Sequence, residues 1–181
     1  MENLFNNSEW FAYLCALLGP FIQEDAAVLG AASASVSGMA QPLGMFIAIT
    51  IGLTVSDLWK YWLGRAAITQ PWAKKHAEGP RILKAKDNIV HNLGKSIMIA
   101  RFIPGTRIPL YIAAGFFKAS FLKFSFFIFT SALIYIAIAF ALFNILGEVA
   151  GEEAKKYLPI VAIIGFIALV AFKKLRTKKA E

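Results

Sequence analysis

The sequence predicts an all-α polytopic membrane protein with two oppositely oriented re-entrant helical hairpins, each followed by a transmembrane helix, and a C-terminal transmembrane helix. Composition is the first reason, because 58% of the 181 residues are hydrophobic and 17% are charged, against roughly 25% charged in soluble domains. The second is a set of apolar runs whose lengths are close to the ~20 residues that a helix needs to cross a bilayer. The third is that Pro, Gly and charged residues interrupt two of these runs. We therefore expect residues 1–181 to form a single membrane domain.

The first hairpin is predicted over residues 9–40. Proline lacks a backbone N–H and Gly-Pro pairs favour turns, so we expect two short helices separated by a break at Gly19 and Pro20. Irregular backbone occurs at membrane depth only where protein or water covers it, as in a re-entrant hairpin. The small residues of LGAASASVSGMA favour close helix packing and would permit a homo-oligomer.

The second hairpin is predicted over residues 96–120 for the same reason. Here the Pro104-Gly105 pair and Pro109 interrupt the apolar run, close to two arginines. Two short helices joined by irregular backbone are again expected.

Three uninterrupted apolar runs predict simple transmembrane helices. Residues 43–64 and 124–147 are long enough to cross a bilayer. Residues 157–172 form a shorter run, whose ends can be extended by flanking Lys side chains that reach the membrane surface.

The distribution of Lys and Arg predicts the orientation. The loop 65–95 contains seven basic residues against two acids, and the tail 173–181 contains five basic residues. Basic loops stay in the cytoplasm, so both segments should be cytoplasmic, while the acid-rich N-terminal residues and residues 148–153 should face outward. The formal charge of +8 is accounted for by these loops, and we expect no nucleic-acid partner.

These assignments agree with one another only if each hairpin enters and leaves the membrane on one side. The chain is then a hairpin followed by a helix, repeated upside down. Inverted repeats with broken helices are typical of secondary transporters, in which the breaks form the binding site. The site is therefore expected where Glu24 and Asp25 of the first hairpin meet Arg101 and Arg107 of the second.

Arg101 and Arg107 are expected to bind the substrate, with Gly105 in the turn between them. Charged groups within a membrane cost roughly 2.5–3.5 kcal/mol each, so each needs a partner or a function. Two guanidinium groups suit a phosphate or a carboxylate, which they can bind with paired hydrogen bonds. Two alternatives remain: the arginines neutralise Glu24 and Asp25 as buried ion pairs, or they extend to the membrane surface.

Three acids are candidates for proton coupling. Glu24 and Asp25 could change protonation when an anion occupies the arginines. Alternatively they lie in a water-exposed loop, or Asp25 caps the following helix. Asp57, within the predicted helix 43–64, either relays protons or forms a local ion pair with Lys60.

Other site types receive no support from the sequence. A single cysteine, Cys15, excludes an internal disulfide and a Cys-based zinc site, and the two histidines lack metal-site spacing. No nucleophile elbow, Walker loop or dinucleotide fingerprint is present. We therefore expect no catalytic site, no metal, no cofactor and no enzymatic activity.

Three stretches of the chain carry a recognisable pattern: RFIPGTRIPLYIAAG, from Arg101 to Gly115, which is the most specific; GLTVSDLWKYWLGR, from Gly52 to Arg65; and EDAAVLGA, beginning at Glu24. They resemble the DedA family, also called SNARE-associated or VTT-domain membrane proteins. The resemblance covers about residues 18–130.

The resemblance implies a function and the residues that perform it. The family is thought to contain proton- or membrane-potential-dependent flippases of phosphate-bearing lipids, notably undecaprenyl phosphate, and eukaryotic lipid scramblases. By position, Glu24 with Asp25, Arg101 and Arg107 correspond to its essential charged residues, and Asp57 to a frequent acid. Many members have a further Glu before a Pro-rich turn, which this chain lacks, so the coupling ion stays open.

The sequence thus predicts a transporter that moves an anionic phosphate-bearing lipid, polyprenyl phosphate or phospholipid, between leaflets of the membrane, coupled to protons or membrane potential. The alternative is a proton-coupled small-ion or solute transporter or antiporter. The expected location is a prokaryotic plasma (inner) membrane, crossed several times. The expected partners are an anionic membrane lipid and protons.

Overall fold

The computed structural model describes residues 7–70, 89, 91–103 and 105–155. Most of the predicted basic loop, the predicted helix 157–172, the tail 173–181 and Pro104 lie outside the described residues. The predictions made for those segments therefore stay predictions.

Within the described residues there are six α-helices and no strand, which confirms the all-α part of the prediction. The helices are α1 (Asn7–Ile22), α2 (Glu24–Val36), α3 (Pro42–Ala67), α4 (Leu93–Phe102), α5 (Arg107–Phe116) and α6 (Phe121–Lys155). Two short helices followed by a long one therefore occur twice in the chain.

Two helices have the length and composition to cross a membrane: Pro42–Ala67 and the Phe121–Glu148 part of α6. They include the runs 43–64 and 124–147 that the sequence predicts as transmembrane helices. The re-entrant insertion of the hairpins and the orientation of the chain stay predictions, because no bilayer is part of the structure.

The chain divides into two compact units, which are described separately. The first contains Met1–Leu53 and Ile136–Glu181, and the second contains Thr54–Tyr135. The first hairpin thus belongs to the first unit and the second hairpin to the second unit.

The break in the first hairpin is a single extended residue, Gln23. The sequence predicts a break at Gly19 and Pro20, but both lie inside the last turn of α1, which continues to Ile22. Proline removes one helical hydrogen bond, and the turn still closes because Gln23 N–H donates to the Gly19 carbonyl at 2.9 Å. A Cβ added at Gly19 would lie 3.0 Å from the Ala27 Cβ, so the glycine allows close packing of α1 on α2.

Close packing also joins α1 to the first half of α3. A Cβ added at Gly52 would overlap the backbone carbonyl of Leu17, so no larger residue fits there without movement of a helix. Near the start of α3, the Tyr13 hydroxyl accepts a hydrogen bond from Gln41 N–H at 3.2 Å.

The break in the second hairpin lies between Phe102 and Arg107, as predicted. Gly105 has φ +85°, a left-handed conformation that glycine adopts without strain. Pro109, which the sequence assigns to the break, is instead the third residue of α5. A first-turn N–H has no intrahelical acceptor, so proline costs little at that position.

The second unit has a core of aromatic and aliphatic side chains. The Tyr61 hydroxyl donates to the Ala119 carbonyl at 2.7 Å, which ties α3 to the segment between α5 and α6. Helices α3 and α5 approach closely at two glycines, Gly64 and Gly115, where an added Cβ would overlap the backbone of the other helix. The buried core residues are Tyr61, Leu93, Ile97, Tyr111, Ala114, Ala119, Phe124 and Ile128.

Candidate functional site

The centre of the candidate site is Arg101, the second-last residue of α4, which is 1% exposed. Its Nη2 atom lies 2.9 Å from Oδ2 of Asp57, a residue of α3 that is 0% exposed. A buried charge is stable only when it is paired with an opposite charge and hydrogen-bonded. The ion pair with Asp57 provides the opposite charge.

Helix α6 supplies the remaining partners of Arg101. The Ser131 hydroxyl accepts from Nε at 3.3 Å and from Nη2 at 3.1 Å, and the Ile128 carbonyl accepts from Nη2 at 3.3 Å. The Ser131 hydroxyl itself donates to the same carbonyl at 3.0 Å. One edge of the guanidinium is thus fixed by Asp57, Ser131 and Ile128.

The third nitrogen of the guanidinium, Nη1, is not held in this way. Nη1 of Arg101 is buried and has no hydrogen-bond partner among the described residues. Almost all buried polar atoms in proteins have a partner, so an unsatisfied cationic donor in a fixed position requires an explanation. An anionic ligand would be the strongest acceptor for such a donor.

Asp57 also forms the local ion pair that the sequence offered as one of two alternatives. Lys60 Nζ, one turn further along α3, lies 3.1 Å from Asp57 Oδ1 and donates to the Ser56 hydroxyl at 3.2 Å. One carboxylate thus faces two cations, Lys60 and Arg101. The alternative role of Asp57, as a proton relay, stays a prediction.

Arg107 is the second cation of the predicted site and belongs to the same unit. It is the first residue of α5 and is 4% exposed. Its Cζ atom lies 5.6 Å from the ring centre of Tyr135, within the range of a cation–π interaction. Arg101 and Arg107 therefore stand on either side of the Gly105 break, both buried.

Glu24 and Asp25 are the first two residues of α2, in the first unit, and both are half-buried. The N-cap residue is Gln23, so the alternative that Asp25 caps the helix is wrong: a cap precedes the first turn, and Asp25 lies within it. Carboxylates in a first turn are stabilised by the helix dipole. The expected meeting of these acids with the arginines stays a prediction.

One comparison decides the family. A model of the VTT domain matches residues 25–145, more than half of the chain. This protein is a member of the DedA (VTT-domain) family. No curated protein and no solved structure shows a significant match.

The matched region of the VTT domain contains nearly the whole candidate site. Asp57, Arg101, Arg107 and Ser131 lie within it, and Glu24 immediately precedes it. The family and the two long apolar helices suggest a membrane protein with a transporter-like role.

The second unit of this VTT-domain protein has the polarity expected in lipid. Asp57, Arg101 and Arg107 are buried, whereas Leu122 is 81% exposed and Phe126 is 63% exposed. Soluble proteins place charges outside and seldom expose contiguous large apolar side chains. Helices in a bilayer instead turn ionisable groups toward the protein interior.

Sequence analysis selected Asp57 for this VTT-domain site but missed its pairing with Arg101, and it did not select Ser131. It expected Arg101 to meet Glu24 and Asp25, whereas the structure pairs Arg101 with Asp57. A signal for both Asp57 and Ser131 existed: each is a polar residue inside a long apolar run, and such residues are rarely placed against lipid.

Proposed function

We propose that this protein moves an anionic, phosphate-bearing lipid between the leaflets of a membrane, and that Arg101 binds the phosphate. The observation that carries the proposal is the buried Nη1 of Arg101, which has no partner among the described residues while the other edge of the guanidinium is fixed. The candidate cargoes implied by the family resemblance are polyprenyl phosphates, such as undecaprenyl phosphate, and phospholipids.

Fixation of Arg101 favours binding of an anion. A free arginine loses side-chain entropy when it binds a ligand, whereas Arg101 is already held by Asp57 and Ser131. Its remaining N–H groups would form charge-assisted hydrogen bonds, which are roughly twice as strong as neutral ones.

Arg107 and the start of α5 support the same assignment. Arg107 is the first residue of the helix, where unsatisfied backbone N–H groups and the helix dipole favour an anion. Gly105 lets the chain turn sharply between the two arginines. In the proposal both guanidinium groups contact the phosphate, and the lipid tail stays in the bilayer.

Release of the lipid requires a competitor for the arginines, and Asp57 is placed to be one. Its carboxylate is already paired with Arg101 at 2.9 Å, so a bound phosphate and Asp57 compete for the same guanidinium. A proton on Asp57 would remove that competition and favour phosphate binding. Glu24, which the family resemblance implies to be essential, would perform a similar exchange from the first hairpin, and this would couple transport to protons or membrane potential.

The test is leaflet exchange of a fluorescent phosphate-bearing lipid by the purified protein in vesicles. Arg101→Lys keeps a cation for Asp57 but lacks the second terminal nitrogen, so exchange should fall by about tenfold or more, as expected for a lost charged hydrogen bond. The matched control is Arg65→Lys, which changes an exposed arginine of the same unit in the same way. Exchange in Arg101→Lys equal to that in Arg65→Lys would contradict the proposal.

The same vesicles distinguish this proposal from the other functions considered. Proton-linked flux of a small solute that is independent of the lipid head group would favour the antiporter alternative. Release of inorganic phosphate from the lipid would indicate an enzyme. The proposal predicts lipid exchange with no proton-linked solute flux and no release of inorganic phosphate.

A further inference from the structure

A cavity of about 970 Å³ lies beside the first turns of α4 and α6, at the ends of these helices that are remote from the Arg101 cluster. The two helices run in the same direction, because Gly94 packs on Phe127 near their starts and Arg101 contacts Ser131 further along. Arg101 follows Leu93 by eight positions, which is about 12 Å along the helix axis. The cavity is thus distinct from the site proposed above.

The charged side chains that line the cavity are basic. Lys95 and Lys123 are both exposed, His91 lies beside them, and no acid is among the lining residues. Within the described part of the chain neither lysine forms an ion pair. An anion would therefore meet two cations that have no competing carboxylate there.

Backbone donors point to the same end of the helices. In α4 the first backbone N–H to donate a helical hydrogen bond is that of Ser96, and in α6 it is that of Phe124. The N–H groups of the preceding three residues in each helix therefore have no intrahelical acceptor, and the Asn92 side chain does not cap α4. Two parallel helix dipoles place their positive ends beside the cavity, which is the arrangement that favours phosphate.

A side-chain donor adds an independent observation. The Ser125 hydroxyl is buried and has no hydrogen-bond partner among the described residues, and Ser125 lines the cavity. A buried hydroxyl without a partner costs free energy, and rotation of the Ser125 side chain toward the cavity would let an oxyanion supply the missing acceptor.

The apolar part of the lining decides the source of the anion. Leu122 and Phe126 line the cavity and also lie on the exposed face of α6, next to Phe127. A soluble phosphate would gain nothing from these side chains, whereas the acyl chain of a lipid would cover them. We propose that the cavity binds the phosphate of an anionic lipid head group, between Lys95 and Lys123, with the acyl chain along Leu122 and Phe126.

The proposal goes beyond leaflet transfer, because this site does not use Arg101 or Arg107. Residue 93 lies in the loop 65–95, which the sequence predicts to be cytoplasmic, and residue 123 follows the second hairpin, which it predicts to enter and leave the membrane from the cytoplasmic side. The site would therefore hold a lipid of the cytoplasmic leaflet.

The experiment is a titration of the full-length protein in detergent micelles with dioleoylphosphatidylglycerol, with bound lipid counted by native mass spectrometry. The double variant Lys95→Gln/Lys123→Gln should weaken binding by about 30-fold, since each surface lysine contributes about a factor of five. The matched control is Lys118→Gln, which changes an exposed lysine outside the cavity, and its affinity for the lipid should stay close to that of the parent protein without the lysine substitutions. Ser125→Ala should weaken binding a few-fold.

Three controls make the result decisive. All measurements use the Arg101→Lys background, so that the site proposed for transport contributes little and the two proposals fail separately. Dioleoylphosphatidylcholine should bind equally to the double variant and to Lys118→Gln. Phosphatidylglycerol affinity that is equal in those two variants would overturn the proposal, and displacement of the lipid by millimolar inorganic phosphate would overturn its assignment to a lipid.

Discussion

The two hairpins of this protein have the same order of elements but stabilise their charges differently. In the first, Glu24 and Asp25 are half-buried and occupy the first turn of α2 after a one-residue break. In the second, Arg101 and Arg107 are almost fully buried on either side of a four-residue break. A carboxylate in a first turn is stabilised by its own helix, whereas a buried arginine needs partners from other helices.

The difference supports our proposal that the second hairpin, rather than the first, binds the anion. Arg101 takes a carboxylate from α3 and a hydroxyl and a carbonyl from α6, so three helices must pack correctly to hold one guanidinium. Such precision suits the recognition of a fixed shape, such as a phosphate. The acids of the first hairpin, being less enclosed, suit a group that exchanges partners or protons.

The largest expected effect comes from Asp57, the carboxylate that pairs with Arg101 of the second hairpin. Asp57→Ala leaves Arg101 buried without its ion-pair partner, so we expect a loss of about 3–5 kcal/mol in the free energy of unfolding. Glu24→Ala in the first hairpin should cost about 1 kcal/mol or less, since it removes a partly exposed charge from a helix start. Equal losses in the two variants, measured by denaturation in detergent, would remove the contrast between the hairpins.

Helix packing gives the next effect. Gly115→Ala places a methyl group against the backbone of Tyr61, so α5 must move away from α3, and a loss of about 1–3 kcal/mol is expected. Gly30→Ala in α2 places the methyl group in open space and should raise stability by up to about 1 kcal/mol through helix propensity. The thermal midpoints of the two variants should therefore shift in opposite directions; a shift in one direction for both would contradict this packing.

Two buried serines give the smallest effect. Ser131→Ala removes an acceptor of Arg101 and should cost about 1–2 kcal/mol. Ser33→Ala in α2 removes a buried hydroxyl that has no partner among the described residues, so stability should stay unchanged or rise slightly. The same denaturation assay compares the two variants. If Ser33→Ala is the more destabilising, hydrogen bonding of the buried hydroxyl does not explain the contrast between the two regions.

Local patterns predicted local features correctly. The Lys60–Asp57 pair follows from spacing along one helix, and the break at Gly105 follows from a residue type that tolerates a positive φ. The break of the first hairpin was misplaced because a single proline in a last turn costs one hydrogen bond, and the helix continues past it to Ile22.

The Arg101–Asp57 pair could not be predicted in the same way. It joins two helices, and which faces of α3 and α4 meet depends on close approaches at glycines and on core packing rather than on sequence spacing. The expected symmetry of the hairpins favoured Glu24 and Asp25 as partners instead. Sequence patterns thus selected two arginines that the structure buries, but only part of their surroundings.

The most direct measurement compares leaflet exchange of a polyprenyl phosphate and of the corresponding unphosphorylated polyprenol, in the wild type and in Arg101→Lys. If the Arg101 guanidinium binds the phosphate, the wild type exchanges the phosphorylated lipid faster, and the variant loses most of that preference while the slower exchange of the polyprenol is unchanged. A preference for the phosphorylated lipid that survives undiminished in Arg101→Lys would contradict the account.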